Sequence, residues 1–203
     1  MSAATYLPAR LSLRSLRAAA AGCQACELYR HATQTVFGEG RARARFMLVG
    51  EQPGDSEDRD GHPFVGPAGR ILHEAMERAG ISPDDAYVTN VVKHFKFILR
   101  GKRRIHDKPK AIEIRACKPW LDAEIEVVRP DLIVALGATA AQAFLGSGFR
   151  LLANRGRVIA IERSPPLLAT IHPSAILRAP DSASRHAEME KFVADLRAVK
   201  LSA

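Results

Sequence analysis

The sequence predicts an α/β fold: a three-layer α/β/α sandwich around a central four-stranded parallel sheet, in a single domain. Three observations lead there. Four short apolar, β-branched segments recur, helical patterns separate them, and 203 residues suffice for one sizeable core but are short for two. Strands buried on both faces read as near-continuous apolar runs. Alternation of such runs with helices is the pattern of a parallel sheet covered on both sides.

The elements follow in chain order. Residues 1–22 are rich in Arg and Ala, with no acid before Glu27. They read as a basic helix leading into the fold, although the composition also fits a transit peptide. With Cys23 and Cys26 they open an N-terminal segment of about 1–44. The first strand is expected at 45–50, the second at 87–92, the third at 132–137 and the fourth at 167–172. After the turn at Gly66-Pro67, residues Ile71, Leu72, Ala75, Met76 and Ala79 recur at helical spacing. A second helix is expected over 111–128, where Pro119 should kink or divide it, and a last one over about 182–199. The connection 93–110 is exceptional, with 18 residues that include Lys93, Lys96, Arg100, Lys102, Arg103, Arg104, Lys108 and Lys110. Loops of this length are usually functional or disordered; a solvated basic loop is the plain alternative.

Thirty Lys and Arg against 22 Asp and Glu leave a net charge of +8, which favours an anionic partner, nucleic acid before membrane. No run approaches the roughly 20 apolar residues that cross a bilayer. Three cysteines, two of them in a C-x-x-C, suit an intracellular thiol or metal site better than a secreted disulfide scaffold. A soluble, cytoplasmic monomer is the expectation.

Ligands bind an open parallel sheet outside the carboxyl ends of its strands, where loops from neighbouring strands converge. Here the strands run into Gly50-Glu51, Thr89-Asn90, Gly137-Ala-Thr139 and His172-Pro-Ser174, so that an acid, Glu51, a carboxamide, Asn90, and an imidazole, His172, face one crevice. Singly, each has an ordinary structural alternative: a capped turn for Asn90, an ion pair for Glu51, a core position for His172. Together at one edge they point to a site.

At this point several motifs become recognisable. Gly50-Glu-Gln-Pro-Gly-Asp55, Gly61-His-Pro-Phe-Val-Gly-Pro-Ala-Gly69, Tyr87-Val-Thr-Asn-Val-Val-Lys-His94 and His172-Pro-Ser174 resemble the iron–sulfur uracil-DNA glycosylases of family 4. Lys102-Arg-Arg-Ile-His106 is similar to the signature of the UdgX group, whose members bind uracil-DNA covalently. The resemblance spans roughly residues 20 to 180.

It implies a [4Fe–4S] cluster held by Cys23, Cys26, Cys117 and, where the family pattern has a fourth cysteine, His94. Imidazole ligands to iron–sulfur centres have precedent. The same donors would also suit structural zinc, and an uncoordinated thiol pair is a third reading. The resemblance further implies that Phe64 stacks on a flipped uracil, that Asn90 pairs with its edge, and that Gln52 and Asp55 line the same pocket. His172 would stabilise the departing base, and Glu51 the cationic sugar or the nucleophile. His106 would attack in place of water, while Lys102, Arg103, Arg104 and Arg178 grip DNA. The substrate expected is uracil-containing DNA, in single-stranded form. Rival readings are a hydrolytic family 4 enzyme, a metal-stapled nucleic-acid-binding module without catalysis, and a thiol oxidoreductase. The last is weakened because Cys23-x-x-Cys26 lies before the first strand.

Overall fold

The structure, a computed structural model, describes residues 1–201, with side chains through Val199. The chain opens with helix α1 (Leu13–Ala20), shorter than the basic helix expected over 1–22. Ser12 and Ser15 cap each other reciprocally at its start, which fixes where the helix begins. Strand β1 (Glu39–Gly40) and strand β2 (Phe46–Gly50) follow, then helices α2 (Asp55–Asp60) and α3 (Pro67–Ala79) and strand β3 (Ala86–Asn90). The hairpin β4 (Phe97–Arg100) and β5 (Arg103–His106) precedes the long helix α4 (Ala111–Val128). Strand β6 (Leu132–Leu136), helices α5 (Ala138–Leu145) and α6 (Leu151–Asn154), strands β7 (Val158–Ile159) and β8 (Leu167–Thr170), and helices α7 (Pro173–Leu177) and α8 (Ser182–Leu201) complete the described chain. Among the described residues no helix is long and apolar enough to cross a membrane.

The main sheet has six strands in the order β1-β3-β2-β6-β8-β7. Its centre is the expected parallel set β3-β2-β6-β8, while β1 and β7 are antiparallel additions at the two edges. Each addition is two residues long, too short to leave a periodic signal in the sequence. Alternation along β2 feeds two cores. Met47 and Val49 pack with Trp120 and Leu121 of α4 on one face. Phe46 and Leu48 pack with Leu72 of α3 and Phe192 of α8 on the other. The register pairs Gly50 with Asn90 and Leu136 with Thr170, so the carboxyl ends of all four parallel strands reach one edge.

Two expectations need correction. Pro119 does not divide α4, which runs unbroken through it. Trp120 and Leu121 are wholly buried beside it, and tertiary packing of that face offsets the lost backbone hydrogen bond. The stretch 93–110 is also not a featureless loop, because the hairpin occupies its centre and turns at Gly101, whose φ of 59° suits glycine.

Candidate active site

A cavity of about 800 Å³ opens at the carboxyl edge of the sheet. Glu51 enters it after β2, Asn90 from the end of β3, Thr139 from the first turn of α5 and His172 after β8. Asn90 is 3% exposed, and among the described residues its side-chain amide has no hydrogen-bond partner within the chain. Phe64 shares the cavity, with its ring stacked on that of His172 at 6.3 Å between centroids. The Phe64 backbone has a φ of 56°, a conformation rarely found outside glycine and maintained here by its surroundings. Gly50 lets the two side chains converge: a Cβ there would stand 2.3 Å from Asn90 Oδ1 and 2.8 Å from Phe64 Cζ.

His172 caps the start of α7. Its Nδ1 accepts from the Ser174 backbone N–H at 3.2 Å and lies 2.8 Å from Ser174 Oγ, which in turn accepts from Arg178 at 2.9 Å. With Nδ1 acting as acceptor, the ring proton belongs on Nε2. Burial pushes this imidazole down to about 4, against the pull of the Glu51 carboxylate, so it is neutral near pH 7. His106, at the cavity mouth, sets its Nε2 3.3 Å from Glu51 Oε1. Burial acts to raise the Glu51 carboxyl, but hydrogen bonds with His106 and Thr139 outweigh it and hold the group below its usual range.

Two expected contact residues turn out to have structural work. Gln52 donates both amide protons, to the Lys96 and Asp107 carbonyls at 3.1 Å each, and accepts from the Lys96 N–H. It clasps the two ends of the hairpin segment, so its side chain has no donor left for a base. Arg104 bonds Asp55 at 2.5 Å and Asp58 at 2.6 Å, and its guanidinium lies over the rings of Phe95 and Phe97. Arg104, expected to grip phosphates, is engaged within the chain: Asp58 is wholly buried and requires a cation, and Arg104 supplies it. Asp55 is held by Arg104 and Arg59 and borders the cavity as half of an ion pair. Lys102 and Arg103 are exposed, with side chains unpartnered among the described residues. Arg178 is exposed at the cavity rim.

On the far side of β3 lie the thiols. Cys23 and Cys117 are buried, Cys26 is half-buried, and none is in a disulfide. The Cys23 sulfur accepts from Trp120 Nε1 at 3.3 Å and the Cys117 sulfur from the Lys93 backbone N–H at 3.2 Å, the donors a thiolate ligand needs around it. Both other cysteines are near enough for their charge to be felt at Cys117, whose thiol burial pushes up to about 12. His94 is buried, and burial lowers it to about 4, leaving the neutral imidazole that ligation requires; its Nε2 lies 3.2 Å from Thr35 Oγ1. Among the described residues no three His, Cys, Asp or Glu side chains gather closely enough to hold a single metal ion.

Reading by motif left three participants without a role. Ser174 fixes the His172 tautomer, and its place two residues into a helix that begins at a histidine was a legible cue. Thr139 steadies Glu51. Asp58 pairs with Arg104 across 46 residues, a separation that no local pattern announces.

The comparisons agree with this geometry. The family model for the uracil-DNA glycosylase superfamily matches residues 37–197. The chain is 40% identical over 157 residues to the type-4 uracil-DNA glycosylase of Thermotoga maritima, covering 77% of this chain and 78% of that one. It is 35% identical over 179 residues to the type-4 enzyme of Pyrobaculum aerophilum, covering 84% and 87%. With the type-5 uracil-DNA glycosylase of Thermus thermophilus it shares 31% over 151 residues, 68% of each. By the extent of these matches and the strand-edge cavity they enclose, the chain belongs to the uracil-DNA glycosylase superfamily.

Proposed function

We propose that the protein is a uracil-DNA glycosylase that excises uracil from DNA and is captured on its product through a bond between His106 and C1′ of the abasic sugar. The observation that carries this reading is the approach of His106 Nε2 to within 3.3 Å of Glu51 at the mouth of the cavity holding Asn90, Phe64 and His172. An ordinary glycosylase needs a water at that position.

In this reading the uridine leaves the base stack and enters the cavity. Asn90, with an unengaged amide, pairs with the O4 and N3–H of uracil and mismatches cytosine. Phe64 stacks on the ring. The C1′–N1 bond breaks with its electron pair passing to uracil, and the resulting anion takes a hydrogen bond at O2 from His172 Nε2–H. A neutral donor fixed in place before the reaction stabilises developing charge without reorganising. The ionised Glu51 stabilises the cationic sugar, as carboxylates do in glycoside cleavage. It also accepts the Nε2 proton of His106, freeing the lone pair that closes on C1′. The alkylated imidazole is a poor leaving group, so one chain serves one lesion.

Cys23, Cys26, Cys117 and His94 fit a [4Fe–4S] cluster. They offer disulfide-free sulfurs, of which Cys23 and Cys117 are buried and accept N–H donors, and a neutral imidazole. When bound, the cluster supplies a structural staple rather than electrons. The chain's own residues use it to tie the N-terminal segment to the base of the hairpin and to α4.

A hydrolytic reading is favoured by a different observation, the 40% identity to a protein named a type-4 uracil-DNA glycosylase. In it Glu51 orients a water and the abasic DNA departs. A denaturing gel with uracil quantified in parallel separates the two. On a uracil-containing strand the wild-type protein should give a shifted band that withstands denaturant, with no more than one uracil released per chain. His106→Ala should abolish the band while retaining uracil release. Multiple turnovers by the wild type without a band would establish the hydrolytic reading.

A further inference from the structure

The β4–β5 hairpin divides its residues by register. Directly opposed residues share a face, so Phe97 with His106 and Leu99 with Arg104 form one face, and Ile98 with Ile105 and Arg100 with Arg103 form the other. The first face lies against the body, where Arg104 meets Asp55 and Asp58, and His106 meets Glu51. The second is partly open to solvent. Ile98 is 46% exposed and Ile105 37%, while Leu99 overhangs the body at 68%. The side chains of Arg100, Lys102 and Arg103 make no ion pair or hydrogen bond among the described residues. Neighbouring cations are occupied: Lys93 with Glu124, and Lys96 with Asp107 and Glu113.

An aliphatic pair kept in solvent beside unpaired arginines has the composition of a recognition surface. The charge selects an anionic partner, and the apolar pair selects one that also presents flat apolar faces. An unpaired nucleic-acid strand has both, since its base faces are accessible whereas a duplex hides them in its stack. The surface is also continuous with the site, because Ile105 directly precedes His106.

We propose that the outer face of this hairpin docks the single strand flanking the nucleotide in the cavity. Ile98 and Ile105 pack on an unstacked base, and Arg100 and Arg103 pair with its phosphates. The identity of the nucleotide in the cavity rests on the proposed function, but the docking does not require any reaction.

The experiment measures equilibrium binding of a fluorescent thymine-containing oligonucleotide, single-stranded and as a duplex, across a range of salt. It compares the wild type with Ile98→Ser/Ile105→Ser and with Arg100→Gln/Arg103→Gln. Uracil release from a trinucleotide too short to reach the hairpin tip is measured separately. The isoleucine variant should bind the single strand about tenfold more weakly with an unchanged salt dependence, and should match the wild type on the duplex and the trinucleotide. The arginine variant should lose about 1.4 from the slope of log affinity against log salt, at about 0.7 per phosphate contact. Wild-type affinity for the single strand in the isoleucine variant would overturn the inference, as would an equal loss on the duplex. A wild-type dimer that dissociates in the isoleucine variant would also overturn it, by making the face an interface between copies. A wild type that releases no uracil from the trinucleotide would sink the proposed function alone.

Discussion

At the scale of single residues, the site separates two histidines by environment. His172 is neutral because its ring is largely withdrawn from water at a helix start, with Nδ1 already accepting a hydrogen bond, whereas His106 is half-exposed beside an ionised carboxylate. The account therefore predicts that His172→Gln slows uracil release by roughly a hundredfold, the usual cost of a lost donor to a developing anion, in a single-turnover assay. The same residue carries a stability signature. Its folded value of about 4 lies below the ~6.5 of an unfolded chain, so between those pH values the unfolded state binds the extra proton. Its stabilising contribution is complete above about pH 6.5 and is lost as pH falls toward about 4. His172→Gln should flatten that acid limb by up to about 1.4 kcal/mol per pH unit in denaturant titrations; an unchanged limb would mean that the imidazole titrates normally. Glu51, Asn90 and His172 were legible in the sequence because strand-end position is itself the signal. The uses of Gln52 and Arg104 were not, since their partners lie 44 to 55 residues away and appear only after folding.

At the scale of elements, the hairpin is the device that delivers His106. Gln52 clasps its two ends and Arg104 fastens its inner face to α2, so His106, the proposed nucleophile, is held by a clamp rather than by its own loop. Arg104→Ala leaves Asp58 buried without its cation and should cost about 3 kcal/mol of stability. It should also shift the outcome from covalent capture toward uracil release, because a loosened hairpin admits water beside Glu51. The check is the ratio of crosslinked protein to free uracil at a temperature where the variant is still folded; an unchanged ratio would show that the clamp does not govern His106. The parallel strands were readable as apolar runs, but the hairpin was not. Phe97-Ile-Leu-Arg and Arg103-Arg-Ile-His lack the alternation of a half-buried strand, because the open face carries Ile98 and Ile105 while the covered face carries the charged Arg104.

At the scale of the whole molecule, the cavity and the thiols lie on opposite sides of one short turn, 90–94. Lys93, fully buried, spans it: its Nζ bonds the Asn90 carbonyl at 2.8 Å, Thr89 Oγ1 at 2.6 Å and the Glu124 carboxylate, while its backbone N–H reaches Cys117. Disturbing the thiols should therefore be felt at Asn90. Cys117→Ala should purify with less iron, expose the N-terminal segment to protease and lower uracil excision, all measurable on one preparation. Full iron content with a wild-type digestion pattern would remove Cys117 from the ligand set. The layered architecture followed from alternation of strand and helix, while the antiparallel edges and this turn depended on contacts too short or too distant to read from sequence. The central claim, however, concerns one bond. Its most direct measurement is tandem mass spectrometry of peptides from the protein treated with a uracil-containing strand. The account predicts a deoxyribose remnant on the imidazole of His106, at one per chain. A remnant on another residue, or unmodified protein alongside many equivalents of free uracil, would contradict it.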